Sequence, residues 1–277
     1  MINYSAKNFN LADTLDCGQI FRYRPYKTGY LTFSLDKCAF LTRDGENVRI
    51  NSNDDEYFKN FFDLQSDYER IVKNAVKFNI EKLSLAAQKY GGIRILRQDI
   101  FETLISFLIS QNNNIPRIKN TIEKTCEFLG EKRTFDGETY YSFPTAEKLS
   151  LADESFYKKT GYGYRGEYVK KVSEKIVNGE INLLSYNGFS TAELKNELLK
   201  IKGIGEKVAN CITLFGYHRA DSFPVDTWIE KIYHEDFGGT INDRKKITQY
   251  FVNLFGENSG YVQQYLFYAK RKGDFDK

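Results

Sequence analysis

The chain has 277 residues, 41% of them hydrophobic and 28% charged, with a formal net charge of +3. It is long enough for two domains and a sizeable core, and its composition is that of an ordinary soluble globular protein. The mild positive balance permits a nucleic-acid partner without demanding one, because a local basic face matters more than the total.

No basic n-region followed by an apolar segment opens the chain, and the apolar run at residues 104–109 is too short to span a bilayer. Cys17, Cys38, Cys126 and Cys211 are scattered, with no C-x-x-C pair, which argues against a disulfide framework and against a cysteine metal site. A reduced intracellular setting, cytoplasmic or nucleoid-associated, is expected, with no membrane partner and a monomeric protein.

Residues 19–24, 30–35, 39–42 and 48–51 are rich in aromatic and β-branched side chains, separated by turn signals such as Lys27-Thr28-Gly29 and Asp44-Gly45-Glu46. They predict an antiparallel meander that needs a helix behind it. Residues 53–55 cap a helix carrying Tyr57, Phe58, Phe61 and Phe62, and residues 67–77 place Ile71, Val72 and Ala75 at helical spacing. Beyond Leu83 the character turns helical. Asp99 caps a helix that stops at Gln111-Asn112-Asn113-Asn114, and Pro116 fits the first turn of the next. Residues 135–143 read as loop, Thr145 caps a short helix, and Thr160-Gly161-Tyr162-Gly163-Tyr164 makes a tight turn before a helix over 166–178. The expected class is α+β: an antiparallel β-rich domain over residues 1–83, then a mostly helical body over 84–277 with a helix-hairpin-helix at about 193–217.

That hairpin concentrates the chemistry. One helix should end at Lys202, and a second should begin near Glu206 after Gly203-Ile204-Gly205. Glycine on both sides of Ile204 permits backbone conformations closed to other residues and lets a ligand come close. Free N–H groups at the start of the second helix can then bind a phosphate, with Lys202 as a nearby cation. By itself the motif is also an ordinary turn between helices. In the second helix Lys207 and Cys211 form an i, i+4 pair beside the apolar stripe Val208, Ile212 and Phe215. Lys207 sits where the positive end of the helix dipole disfavours an ammonium, which suits an amine nucleophile. Asp226 follows an extended Phe223-Pro224-Val225 and caps the next helix, over 227–233. A carboxylate held there can also stabilise positive charge developing on a sugar ring.

With these residues in place, the chain resembles the helix-hairpin-helix glycosylases, and within them the 8-oxoguanine DNA glycosylase/lyases. The resemblance runs from Asp16-Cys17-Gly18-Gln19 through Ile109-Ser110-Gln111-Asn112-Asn113-Asn114-Ile115-Pro116-Arg117 and Gly163-Tyr164-Arg165 to residues 263–267, nearly the whole chain in order. The iron–sulfur branch is disfavoured, since no cysteine cluster follows the hairpin. The resemblance implies duplex DNA containing oxidised guanine as partner, Lys207 as the nucleophile that forms a Schiff base, and Asp226 as the stabiliser of the oxocarbenium-like state. It implies a C-terminal helix that returns to the pocket, where Gln263 bonds the base edge, Phe267 stacks on its face and Cys211 closes the opposite side. Asn112 would fill the gap left by the flipped base, Arg117 and Arg165 would read the widowed cytosine, and Tyr164 would wedge beside it.

Gly18 carries the physical argument for the lesion. Guanine N7 is an acceptor, whereas 8-oxoguanine carries a hydrogen there. The Gly18 carbonyl, which the resemblance places opposite N7, is satisfied by the lesion and mispaired with guanine, at about 1–3 kcal/mol.

Two positions depart from the family pattern. Lys202 replaces a proline common before the hairpin glycine, and Trp228 stands where a histidine is frequent; Trp228 is expected to pack beside the pocket and donate through its indole N–H. No cofactor or dedicated metal site is expected to be required, although the hairpin carbonyls could hold a monovalent or divalent cation. Two other readings stay open: a glycosylase for another damaged base, and a non-enzymatic helix-hairpin-helix DNA-binding module. The second would need the glycines and a basic face but neither Lys207 nor Asp226.

Overall fold

The computed structural model of the chain describes residues 1–275. Strands β1 (Ile2–Ser5), β2 (Tyr23–Tyr26), β3 (Gly29–Ser34), β4 (Lys37–Asp44) and β5 (Asn47–Ser52) form one antiparallel sheet in the order β1-β5-β4-β3-β2. The expected meander is β2–β5, and β1 is an addition, held by the register Ile2↔Ile50 and Tyr4↔Val48. Helices α1 (Leu11–Asp16) and α2 (Asp55–Phe61) cover the sheet. Asp54 caps α2 by accepting from the Tyr57 N–H, and Phe58, Phe61 and Phe62 pack against Ala39, Leu41, Val48 and Ile50.

A second hairpin, β6 (Lys132–Phe135) and β7 (Glu138–Tyr141), occupies most of the stretch read as loop. Asp136 and Gly137 at its tip both have positive φ, +52° and +81°, as a tight two-residue hairpin turn requires. Tyr140 carries this hairpin onto Leu31, Phe33 and Cys38 of the main sheet.

Two helical cores complete the molecule. Helices α3 (Tyr68–Lys77) and α4 (Glu81–Tyr90) share one with α12 (Thr227–Glu235), α13 (Arg244–Phe255) and α14 (Ser259–Arg271), through Leu83, Ala87, Ile229, Phe251, Leu266 and Tyr268. Residue 83, taken from sequence as the end of a domain, therefore lies inside α4. The other core gathers α5 (Ile100–Ser110), α6 (Ile115–Leu129), α7 (Ala146–Leu151), α8 (Glu154–Thr160), α9 (Arg165–Val177), α10 (Thr191–Leu199) and α11 (Glu206–Phe215) around residues such as Leu108, Ile122, Val169, Leu198 and Ile212. No described helix is long and apolar enough to cross a membrane.

Candidate active site and DNA-facing surface

The hairpin between α10 and α11 is built as the sequence suggests, with two differences. Helix α10 ends at Leu199 rather than Lys202. Only Gly203 has the unusual backbone expected of both glycines: its φ is +94°, and a Cβ there would lie 2.6 Å from the Tyr168 ring. Gly205 is extended, at φ −97°, with nothing within 4 Å of a Cβ. The fold thus requires Gly203 but not Gly205. The N–H groups of Gly205, Glu206 and Lys207 donate to no described residue, so the start of α11 faces outward unsatisfied. Lys202 is partly neutralised, its Nζ 3.0 Å from Glu167 Oε1.

Behind the hairpin, Lys207 and Cys211 look from α11 into a narrow cavity of about 50 Å³. Gly18, Asp226, Gln263 and Phe267 line the same cavity, so six sequence-predicted residues from four distant segments meet there. Cys17, Phe107, Phe215, Pro224 and Gln264 complete the walls. Phe107 and Phe215 stack with centroids 5.5 Å apart, and Lys207 Nζ lies 5.6 Å from the Phe107 centroid. Sequence periodicity places these two phenylalanines on apolar helix stripes, and nothing in a stripe distinguishes a pocket wall from core.

The electrostatics separate the roles available to these groups. Lys207 Nζ has no ion pair and no hydrogen bond among the described residues. Asp226 Oδ1 accepts from the N–H groups of Trp228 and Ile229, both at 3.0 Å. Its Oδ2 has no hydrogen bond among the described residues. Burial raises the Asp226 carboxyl above its ordinary value, and the two capping N–H groups and the Lys207 ammonium oppose that rise. Burial also pushes the Cys211 thiol up to about 11 against the pull of Lys207. A thiol that stays protonated at neutral pH is a poor nucleophile, which leaves the amine.

Gly18 has φ +84°, and its carbonyl accepts from no described residue. The surrounding loop is firmly held. Buried Gln19 donates through Nε2 to the carbonyls of Thr14 and Arg94, at 2.9 and 2.7 Å, and accepts from the Leu96 N–H at 2.9 Å. From α14, Tyr268 donates to Asp13 at 3.1 Å and Arg271 donates to Asp16. Sequence reasoning named neither Gln19 nor Arg271 as a support, because each acts across a long chain separation.

The remaining predicted residues form a separate group outside the cavity. Asn112, exposed at φ +45°, donates to the Tyr164 hydroxyl at 3.3 Å, and Tyr164 is 52% exposed. Arg117 is exposed, and its side chain has no partner among the described residues. Arg165, expected as a second reader of the opposite base, is 6% exposed. It donates to the carbonyls of Gln111, Asn112 and Tyr162, and its guanidinium lies 4.6 Å from the Tyr164 centroid. In this structure Arg165 holds the Asn112 turn and the Tyr164 ring in place. Trp228 is not among the residues that line the cavity, and its indole N–H has no partner among the described residues. Trp228 is 36% exposed, with Lys231 Nζ 5.4 Å from its ring. Its backbone N–H, rather than the indole, serves the site by capping onto Asp226.

Residues 1–104 match the family profile of the 8-oxoguanine DNA glycosylase N-terminal domain, and residues 105–257 match that of the HhH-GPD superfamily of base excision DNA repair proteins. The chain belongs to this glycosylase family. The N-glycosylase/DNA lyase of Saccharomyces cerevisiae is 38% identical over 257 residues, covering 82% of this chain and 68% of that protein. A probable N-glycosylase/DNA lyase of Methanothermobacter thermautotrophicus is 32% identical, covering 80% and 77%. The crystal structure of Clostridium acetobutylicum 8-oxoguanine glycosylase/lyase, in complex with dsDNA containing cytosine opposite 8-oxoG, superposes with a TM-score of 0.91 at 38% identity, over 96% of this chain and 93% of that one. A 3-methyladenine DNA-glycosylase from Archaeoglobus fulgidus has a TM-score of 0.79 at 17% identity. At that distance the likeness concerns the family's fold alone.

Proposed function

We infer that this member of the family is a bifunctional DNA glycosylase/lyase that removes 8-oxoguanine from duplex DNA and then nicks the strand. The observation that carries the reading is that the Lys207 amine lines the same cavity as the free Gly18 carbonyl and the Asp226 carboxylate. A non-enzymatic DNA-binding module has no use for that convergence.

The target nucleotide must leave the stack to reach such a cavity. Its base enters with Gly18 opposite N7 and Gln263 at the Watson–Crick edge. Phe267 and Cys211 enclose the ring faces. Lys207, once its ammonium has given up a proton to solvent, attacks C1′ with the freed electron pair. The C1′–N9 bond breaks, and the base leaves with the electron pair and takes up a proton. Asp226, through its free Oδ2, stabilises positive charge as it develops on the sugar. The attached amine loses a proton, the C1′–O4′ bond opens with O4′ protonated, and a Schiff base remains. Removal of a C2′ proton expels the 3′ phosphate and cuts the strand; water then hydrolyses the imine and frees Lys207. The N–H groups of residues 205–207 hold a backbone phosphate meanwhile. Exposed Arg117 reads the orphaned cytosine, whose acceptor edge suits a guanidinium fork.

Borohydride trapping on a duplex with 8-oxoguanine opposite cytosine tests this reading. A covalent complex is expected with the wild-type protein and none with Lys207→Gln. An undiminished adduct in that variant would remove Lys207 as nucleophile. A wild-type protein that traps only on abasic sites would point to a different base.

A further inference from the structure

Gln264 is a wall of the cavity that the proposed reaction leaves without a task. It is 3% exposed, as is its neighbour Gln263, and both line the cavity. Gln264 Nε2 donates to Gln263 Oε1 at 2.8 Å. Gln264 Oε1 is buried with no partner among the described residues, and Gln263 Nε2 donates to no described residue. We propose that Gln264 is a specificity-determining positioning residue that fixes which way round the Gln263 amide faces the extruded base.

A glutamine amide presents an N–H donor and a carbonyl acceptor side by side and can be turned end for end. Guanine offers a carbonyl at C6 next to an N–H at position 1; adenine offers an amine at C6 next to a bare N1. The two edges therefore require opposite settings of the same amide. With its carbonyl anchored by Gln264, Gln263 keeps Nε2 free for the C6 carbonyl of a guanine-type base. Its Oε1, which has a second lone pair, accepts from N1–H. The reversed pairing would bury both N–H bonds of the Gln264 amide with no acceptor, whereas the observed one uses one of them. Orphaned buried N–H groups are rarer than under-satisfied carbonyls. The setting that matches guanine is the one the packing favours.

This inference rests on the proposed 8-oxoguanine activity and is tested separately from it. Duplexes with 8-oxoguanine or 8-oxoadenine at one site share the N7 hydrogen that Gly18 would sense and differ at the Watson–Crick edge. An abasic-site duplex, which places no base in the cavity, gauges folding and the lysine chemistry. In Gln264→Met, of similar volume, the ratio of kcat/KM for 8-oxoguanine to that for 8-oxoadenine is expected to fall at least tenfold, with excision of 8-oxoguanine reduced relative to abasic-site cleavage. In Gln264→Glu at pH 8 a carboxylate can only accept, so Gln263 turns round and the ratio should fall further. An unchanged ratio in a variant that still cleaves abasic sites overturns the proposal. Loss of abasic-site cleavage in both variants also overturns it, reducing Gln264 to a folding role. A wild-type protein unable to release 8-oxoguanine would fail at the earlier step, on the activity itself.

Discussion

Arg271 on α14 donates through Nη2 to both the backbone carbonyl and the Oδ2 of Asp16, at 2.6 and 2.7 Å, two residues before Gly18. The loop that presents Gly18 is thereby tied to the helix that also carries Gln263 and Phe267, in addition to the Gln19 bonds that hold it to Arg94 and Leu96. The Arg271–Asp16 contact thus links the segment expected to sense N7 to the helix expected to read the Watson–Crick edge.

Loosening that link should relax lesion selectivity before it abolishes chemistry. Arg271→Ala is expected to lower the ratio of 8-oxoguanine to guanine excision roughly tenfold, the scale of losing one charge-assisted bond pair. Abasic-site cleavage reports the lysine chemistry in the same preparation. A ratio unchanged from wild type would show that Gly18 is held without the arginine.

The two hairpin glycines should behave differently. Gly203→Ala places a Cβ in the left-handed region and against Tyr168, and is expected to cost about 2 kcal/mol in denaturant unfolding. Gly205→Ala meets nothing within 4 Å among the described residues and removes only a glycine cap, costing about 1 kcal/mol or less. Its effect should instead appear as weaker duplex binding, with a shallower dependence on salt. Equal losses of stability in the two variants would mean that the fold itself demands Gly205.

Arg117 and Arg165 offer a second contrast. Arg117→Ala removes a side chain with no partner among the described residues, so melting should not change, while the preference for cytosine opposite the lesion drops about tenfold. Arg165→Ala leaves the carbonyls of Gln111 and Asn112 without their donor and should cost about 2 kcal/mol of stability. Its excision should fall for every opposite base alike. Rates measured against all four opposite bases separate the two roles.

Asp226 predicts an unusual pairing of stability and activity. Its pKa is raised in the folded protein, so the native state binds its proton more readily than the unfolded chain does, and the ionised carboxylate costs stability above its ordinary pKa of 3.8. Asp226→Asn keeps an oxygen for the Trp228 and Ile229 N–H groups and sheds the buried charge. It should melt at the wild-type temperature or above while base excision falls about 100-fold. In single-turnover measurements the wild-type acid limb should lie above pH 3.8, and the residual activity of the variant should lack that limb. A variant that is both less stable and fully active would reverse the assignment.

The parts of this site legible in the sequence are those written in local chemistry. Gly203, the unpaired helix start at Lys207 and the Asp226 cap each announce themselves within a few residues, as do the Asp99 and Asp54 caps. Strand β1 is invisible by the same logic, because its partner β5 lies more than 40 residues away in the register Ile2↔Ile50. The β6–β7 hairpin did have a signal, Asp136-Gly137 followed by Thr139-Tyr140-Tyr141, but its strands are only four residues each. Gly18, Gln263 and Phe267 required a resemblance to bring them forward. Their neighbours Phe107 and Gln264 could be recognised only once three dimensions placed them against the cavity.

The contact between Asp16 and Arg271 also bears on how the protein is made. Until α14 docks, the chain carries the hairpin and Lys207 but lacks three walls of the base cavity, Gln263, Gln264 and Phe267, and the bond from Arg271 to Asp16. The base cavity is complete only when α14 docks on α4, and it depends on one of the most non-local contacts among the described residues.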